Sequence, residues 1–251
     1  VSMLGLNTSI ISKLSKNELG TFAKDSIRSY GVDDSLIIPD SSPNARMGTY
    51  YYEYGAYPRK PNVIYDRKNS SFTNLNIDEI NTSIFNLTRA FHTSGITLAL
   101  CKNCEETATQ IIKKFKENGA LISFDVNYRA NLWTEEKAKR SIEAILPYVD
   151  ILFCSKFTAN HMFNIQGDIH NIMKEFCNKY GIKIMASTNR VVHSPKSHSF
   201  SSILYSLNKD SFYEESPYEN IDVIDRIGSG DAYVSGVLFG LLNYDLSLEN
   251  A

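Results

Sequence analysis

From about residue 77 onward the sequence keeps switching between two hydrophobic periods, and that switching limits what the chain can fold into. Short apolar runs at 90–95, 120–126, 150–154 and 182–187 have the length and composition of buried strands. Before the first of them and between the others, residues 78–87, 104–118, 135–146 and 169–180 carry apolar side chains at helical spacing, with Gly119 and Gly181 closing two of these stretches. Strand and helix alternating at short spacing predict an α/β fold, with a mostly parallel central sheet and helices on both faces. Residues 192–213 read as a hairpin, and residues 232–242 as a strongly apolar helix entered through a Gly-rich turn.

The first part of the chain is different. Leu19, Phe22, Ala23 and Ile27 mark a helix over 17–30, stopped by Gly31. Residues 39–44 are polar and contain prolines, and 46–73 are rich in tyrosine, with a strand signal at 62–65. Extended strands and loops are predicted there. The chain shows no internal repeat and no low-complexity segment.

With 251 residues, 43% of them hydrophobic and 22% charged, the chain can bury a large core as one domain over 1–251. A net charge of -2 provides no electrostatic drive toward nucleic acid or an anionic membrane. No apolar run reaches bilayer length, and residues 1–7 lack the pattern of a signal peptide, so a cytoplasmic location is the expectation. Cys101 and Cys104 form a lone CxxC without a matching pair or a nearby His pair. Together with Cys154 and Cys177 they read as free thiols, and no protein metal site is predicted. The five histidines show no metalloprotease spacing and read as structural or surface groups.

The chemistry concentrates in Asp225-Arg226-Ile227-Gly228-Ser229-Gly230-Asp231-Ala232-Tyr233, followed by Gly236. The first amides of a helix have no partner inside it, and the helix dipole adds partial positive charge. Glycines allow an anion to approach such amides closely. Gly228, Ser229 and Gly230 therefore read as an anion hole, with Asp231 at its lip as a general base. The same residues also suit a plain helix cap, and both readings stay open at this point. GxxxxGK[ST] is absent, and Tyr233 occupies the third-glycine position of GxGxxG, so neither a P-loop nor a first Rossmann turn fits.

This segment resembles the C-terminal signature of the ribokinase family, also called the PfkB carbohydrate kinases. Three further segments bring the resemblance nearest to the 2-keto-3-deoxygluconate kinases: Arg46-Met-Gly48-Thr-Tyr50-Tyr-Tyr-Glu53-Tyr54-Gly55, Val63-Ile-Tyr65-Asp66-Arg67, and Phe124-Asp125-Val126-Asn127-Tyr128-Arg129-Ala-Asn-Leu132-Trp133. His92-Thr-Ser94-Gly95-Ile96 is similar to the family's strand and turn.

The resemblance implies a ribokinase-like fold in which 46–73 is a small β lid over the sugar site. It implies ATP and Mg²⁺, and phosphorylation of a sugar acid, 2-keto-3-deoxygluconate, to its 6-phosphate. Asp231 becomes the catalytic base, with Gly228, Ser229 and Gly230 holding charge. Tyr50, Tyr65, Arg67 and Arg129 would contact the sugar acid, and Asp225, Asn127, Ser187 and Arg190 the nucleotide. Arginine suits a carboxylate because its planar fork can bind it through two hydrogen bonds. A homo-oligomer formed through the lid is also part of the family expectation. A kinase for a neutral sugar such as fructose or ribose, and a catalytically inert sugar-binding relative, stay open as alternatives.

The sequence departs from the family pattern in three places. An Asn-x-x-Glu motif that helps organise Mg²⁺ is replaced by Ser155-Lys156-Phe157-Thr158. The nucleotide strand ends in Ser187-Thr-Asn-Arg190 in place of a Gly-containing turn. The family also has a strand and a Gly-Gly loop before the position of Val1 and helices after that of Ala251, so the chain reads as incomplete at both ends.

Overall fold

The computed structural model describes residues 1–55, 58–59, 62–225 and 227–251. Parts of the 46–73 segment and Arg226 of the Gly-rich segment lie outside these described residues.

The chain opens with β1 (Ser12–Ser15), α1 (Glu18–Ser29) and β2 (Ile37–Asp40), and β1 and β2 pair in parallel as a small sheet. Next come β3 (Thr49–Glu53) and β4 (Asn62–Asp66), an antiparallel pair apart from the main body. A short helix α2 (Ile84–Leu87) leads into β5 (Ala90–Ser94), α3 (Gly95–Ala99), α4 (Lys102–Glu117), β6 (Leu121–Asp125), α5 (Glu135–Glu143) and β7 (Ile151–Phe153). The remainder is α6 (Lys156–Phe163), α7 (Ile169–Tyr180), β8 (Ile184–Ser194), β9 (Ser197–Ser206), β10 (Ser211–Glu214), β11 (Tyr218–Asp222) and α8 (Ser229–Asn243).

Seven strands make the central sheet, in the order β10-β9-β8-β7-β6-β5, with β11 also pairing with β9. β5 to β8 run parallel and the strands beyond them antiparallel. The sheet separates two apolar layers. Phe124, Leu152 and Met185 point into one, with Phe115 of α4, Ile142 of α5 and Phe176 of α7. Ile151, Phe153, Ile184 and Ala186 point into the other, against Val234, Val237, Leu238 and Leu241 of α8. Adjacent residues of one strand serve opposite layers because side chains alternate across a sheet, and a strand covered on both faces is apolar along most of its length. The sequence expectation of helices on both faces therefore holds.

Local chemistry sets the helix ends. The Thr134 hydroxyl accepts the Lys137 N–H at 3.3 Å to start α5, and the Asp168 carboxylate accepts the Asn171 N–H at 2.8 Å to start α7. Gly181, with φ 72°, closes α7 in the left-handed conformation.

Some expectations need correction. Residues 78–87 do not form one helix. Asn76 and Glu79 cap a single tight turn over Ile77–Glu79, the Asn81 side chain then draws in the Ser83 N–H and hydroxyl, and only Ile84–Leu87 is helical. The strand expected to end at 187 continues to Ser194, because β9 pairs with it along its length. The hairpin turn therefore lies between Ser194 and Ser197. Strands β1, β2 and β11 and helices α3 and α6 were not foreseen. Among the described residues, no helix is long and apolar enough to cross a membrane.

Candidate active site

A cleft of about 830 Å³ opens where the parallel strands end at their C-terminal edges. Such edges, where loops leave a parallel sheet, are where ligands bind in open α/β folds. β6 delivers Asp125 to Arg129, the end of β7 and the start of α6 deliver Cys154, Ser155 and Thr158, β8 delivers Ala186, Thr188 and Arg190, and the start of α8 delivers Ile227 to Asp231 with Tyr233 and Val234. Tyr50, Val63 and Tyr65 of the β3–β4 hairpin and Phe200 of β9 complete the lining.

The Gly-rich segment forms a turn into a helix. Gly228 is the residue before α8, with φ 75°, a conformation that a side chain would strain. The Asp225 carboxylate accepts the Ile227 N–H at 2.9 Å and folds the approach. The first bond within the helix runs from the Ala232 N–H to the Gly228 carbonyl at 2.8 Å. The amides of Ser229, Gly230 and Asp231 therefore have no acceptor inside the helix. A Cβ built on Gly230 meets nothing within 4 Å, so the space beside these amides is open. Asp231 is exposed and lines the cleft together with all three residues.

A second carboxylate faces it. Asp125, at the end of β6, has its pKa raised to about 6, first by burial and also by the negative charge of Asp231; the Asn127 N–H and the Arg129 cation oppose the rise. The Asn127 amide donates to Asp125 Oδ1 at 3.0 Å, and Asn127 sits at φ 36°, which is turn chemistry at a strand end. Gly95 fits tightly behind this turn, where a Cβ would run into the Val126 carbonyl. The Ser155 hydroxyl caps α6 by accepting the Thr158 N–H at 3.1 Å, and it lies 2.9 Å from the Thr158 hydroxyl. Two cleft-lining hydroxyls thus stand where the family pattern has Asn and Glu.

The hairpin brings the basic groups. Tyr50 and Tyr65 are cross-strand partners, with ring centroids 6.2 Å apart. They line both the main cleft and an adjoining hollow of about 300 Å³ that contains Arg67, Arg46, Lys13 and Ser70. The Arg67 guanidinium lies 4.2 Å from the centroid of the Tyr65 ring. Its Nε is buried with no hydrogen-bond partner among the described residues. Burial, with the positive charge of Arg129 adding to it, pulls the Arg67 pKa below its ordinary value. Arg129 is exposed in the main cleft, and its Nη1 donates to the Tyr128 carbonyl at 3.2 Å. No ion pair joins either arginine to a carboxylate among the described residues.

The cleft thus gathers Asp231, Gly228, Ser229, Gly230, Tyr50, Tyr65, Arg129, Asn127 and Arg190, with Arg67 next door across the shared tyrosines. Two expected residues fall outside it. Ser187 is buried in β8, and strand alternation turns its neighbours Ala186 and Thr188 to the cleft instead. Asp225 shapes the turn and lines no part of the cleft. Sequence reading overlooked Thr188, Ser155 and Thr158 as groups facing the site. The period-2 pattern of β8, placed one residue differently, would have pointed to Thr188. No three His, Cys, Asp or Glu side chains gather as a metal site among the described residues.

The entire chain, residues 1–251, matches the profile of the pfkB family carbohydrate kinase. A 2-dehydro-3-deoxygalactonokinase from Haloferax volcanii is 31% identical over 241 residues, covering 96% of this chain and 71% of that protein. A crystal structure of a PfkB family carbohydrate kinase from Listeria grayi superposes with TM-score 0.91 at 33% identity, covering 98% of this chain and 76% of that one. The crystal structure of a 2-dehydro-3-deoxygluconokinase from Thermotoga maritima gives TM-score 0.89 at 29% identity, over 96% of this chain and 76% of that one. With its full length matched and its fold shared at this level, the chain belongs to the pfkB family of carbohydrate kinases.

Proposed function

We propose that this kinase moves the terminal phosphoryl group of ATP to the 6-hydroxyl of a sugar acid of the 2-keto-3-deoxygluconate type. The observation that carries the reading is the pair Arg67 and Arg129. They converge on the tyrosine-lined end of the cleft, one with a buried unpaired donor, and neither has an ion-pair partner among the described residues. The buried Nε of Arg67, left without a hydrogen-bond partner among the described residues, costs free energy. A substrate carboxylate relieves that cost and fits the guanidinium fork. The names of relatives such as the 2-dehydro-3-deoxygalactonokinase and the 2-dehydro-3-deoxygluconokinase agree with a keto-deoxy acid.

In this reading Asp231 accepts the proton of the attacking hydroxyl, a role worth roughly 10²–10⁴-fold in rate. The free amides of Ser229 and Gly230 hold the charge on the phosphoryl group in transfer, an electrostatic contribution that is often larger still. Thr188, Arg190 and Asn127 are the polar groups that the cleft offers to the nucleotide. Family membership implies ATP use, and phosphoryl transfer calls for Mg²⁺ to neutralise phosphate charge. Mg²⁺ usually takes one or two carboxylates, with phosphates and water completing its shell. Asp125 fits that requirement as a cleft carboxylate, and the hydroxyls of Ser155 and Thr158 are polar support beside it. On the far face of the hairpin, exposed Tyr51 and Ile64 support pairing of copies through the lid.

The test is a substrate panel read by ADP release. The keto-deoxy acids of the gluconate and galactonate series should drive turnover, and fructose or ribose should drive far less. Faster turnover of a neutral sugar would overturn the acid assignment while leaving the kinase intact.

A further inference from the structure

The CxxC pair stands apart from everything above, and its geometry is specific. Cys101 is the residue before α4, and its sulfur accepts the Cys104 N–H at 3.3 Å. The two sulfurs lie 3.3 Å apart, and both are free thiols. Cys101 is partly exposed and Cys104 buried. A disulfide requires an S–S distance of about 2.05 Å, so closure asks for a movement of roughly 1.2 Å between side chains already facing each other.

The pair also sits at a junction. The Cys101 thiol donates to the Thr73 carbonyl at 3.6 Å, and Asn103 Nδ2 donates to the carbonyls of Thr73 and Leu75 at 2.9 Å each. Thr107 Oγ1 donates to the Leu75 carbonyl at 3.2 Å. The first turns of α4 therefore grip residues 73–75, the segment through which the chain returns from the β3–β4 hairpin to the core. Leu100, directly before Cys101, lines the same hollow as Arg67, Ser70 and Phe72.

We propose that Cys101 and Cys104 are a reversible thiol–disulfide site, closed by exchange with a low-molecular-weight disulfide, and that closing it loosens the grip of α4 on the return from the lid. Access makes Cys101 the entry point. Its thiolate attacks one sulfur of the small disulfide and releases one thiol, leaving a mixed disulfide. Cys104 then attacks the Cys101 sulfur and releases the second thiol. The two cysteine protons leave on the two released thiols, and the two electrons of the new bond's formation reduce the small disulfide. Burial, with the Cys101 thiol adding to it, raises the Cys104 pKa, so Cys104 is not the thiol that opens the exchange. Once closed, Cys101 has no S–H to give Thr73, and its sulfur is a poorer cap for the Cys104 amide.

The proposal rests on the reading of the lid as part of the sugar site only for its effect on activity, so the first readouts avoid activity. The chain is held in a mixture of reduced and oxidised glutathione, alkylated, digested and weighed. The expected result is a peptide spanning 101–104 that has lost two hydrogens and regains them with dithiothreitol, with Cys154 and Cys177 still alkylated. Cys104→Ser should instead trap glutathione on Cys101. Four alkylated thiols, or adducts scattered over Cys154 and Cys177, would overturn the site. Should the variant fold poorly, the wild-type mass result alone decides this point. Hydrogen exchange of the amides at 71–75 should quicken roughly 2- to 10-fold in the oxidised chain. Unchanged exchange there would overturn the link to the lid. A chain that passes both tests yet phosphorylates no sugar acid in either form would count against the proposed function and not against the thiol pair.

Discussion

The central sheet and the β3–β4 hairpin are both β structure, but they use their residues in opposite ways. In the sheet, Ile122, Phe124, Ile151 and Leu152 are completely buried. In the hairpin, Tyr51 and Ile64 are 64% and 60% exposed although they pair across the two strands. A two-stranded ribbon is marginal in water by itself, and little packing holds this one. Its stem is tied by polar bonds instead, with Arg46 Nη1 donating to the Lys68 carbonyl and Nη2 to Asp66 Oδ2, each at 2.6 Å. The sheet's sequence answers to burial, while the hairpin turns Tyr50, Val63 and Tyr65 to the cleft and leaves Tyr51 and Ile64 in solvent. Damage to the first should appear as lost stability, and damage to the second, or to the rest of the rim, as lost turnover.

The largest separation is expected at Asp231. Asp231→Asn should lower kcat by roughly 10²–10⁴-fold with the melting temperature nearly unchanged, read by ADP release and calorimetry. Retained turnover would remove the proposed base. Phe176→Ala is the converse case, because Phe176 is completely buried on α7. It should cost about 3–5 kcal/mol in urea unfolding, while the folded fraction keeps its kcat. Arg67→Ala should raise the KM for a keto-deoxy acid roughly 10- to 100-fold, with little change for a neutral sugar and no loss of stability. An equal loss for both sugars would merge the hairpin's role with a general one.

Asp125 lies on the border between the two regions, and pH reveals it. Its pKa rises from 3.8 in the unfolded chain to about 6 in the folded one, so the folded state binds that proton more tightly. Its contribution to stability is complete below pH 4 and is lost as pH rises through about 6. Asp125→Asn should remove that component, so the melting temperature of the variant should fall less across this window. Parallel pH curves would show that the carboxylate titrates normally. The smallest effect is expected at Tyr51, where Tyr51→Ser should change the stability of a single chain, measured at dilutions that keep copies apart, by no more than about 0.5 kcal/mol.

The same contrast explains what the sequence could reveal. Strands buried on two faces announce themselves, since Ile122 to Phe124 and Ile151 to Phe153 have few apolar alternatives. Helices with a capping side chain, such as α5 behind Thr134 and α7 behind Asp168, also fall within a residue of expectation at their starts. Asp78 to Leu87 misled because apolar spacing ignores side chains that bond to their own backbone, as those of Asn76 and Asn81 do. β1 and β2 were missed because four residues such as Ser-Lys-Leu-Ser carry no period, and only pairing makes them strands. In the site, the Gly-rich turn and Asp231 were legible from local chemistry. Arg67 and Arg129, separated by the whole of β5 to β6, were paired beforehand by the family resemblance and by their places after strand-like segments, and folding sets them on either side of the shared tyrosines.

β8 has a further consequence. Its first residues lie between β7 and β9 in the dry interior, and its last six stand in solvent. An unbroken ladder to β9 runs from Ile184 to Val192, past Thr188 and Arg190. The strand is a cantilever, clamped at the core and reaching out over the opening. Its tip inherits the stiffness of its root, so this wall acts as a fixed jaw. The hairpin opposite has no such root in the sheet among its described residues, so if it serves as the proposed lid, the travel is its own.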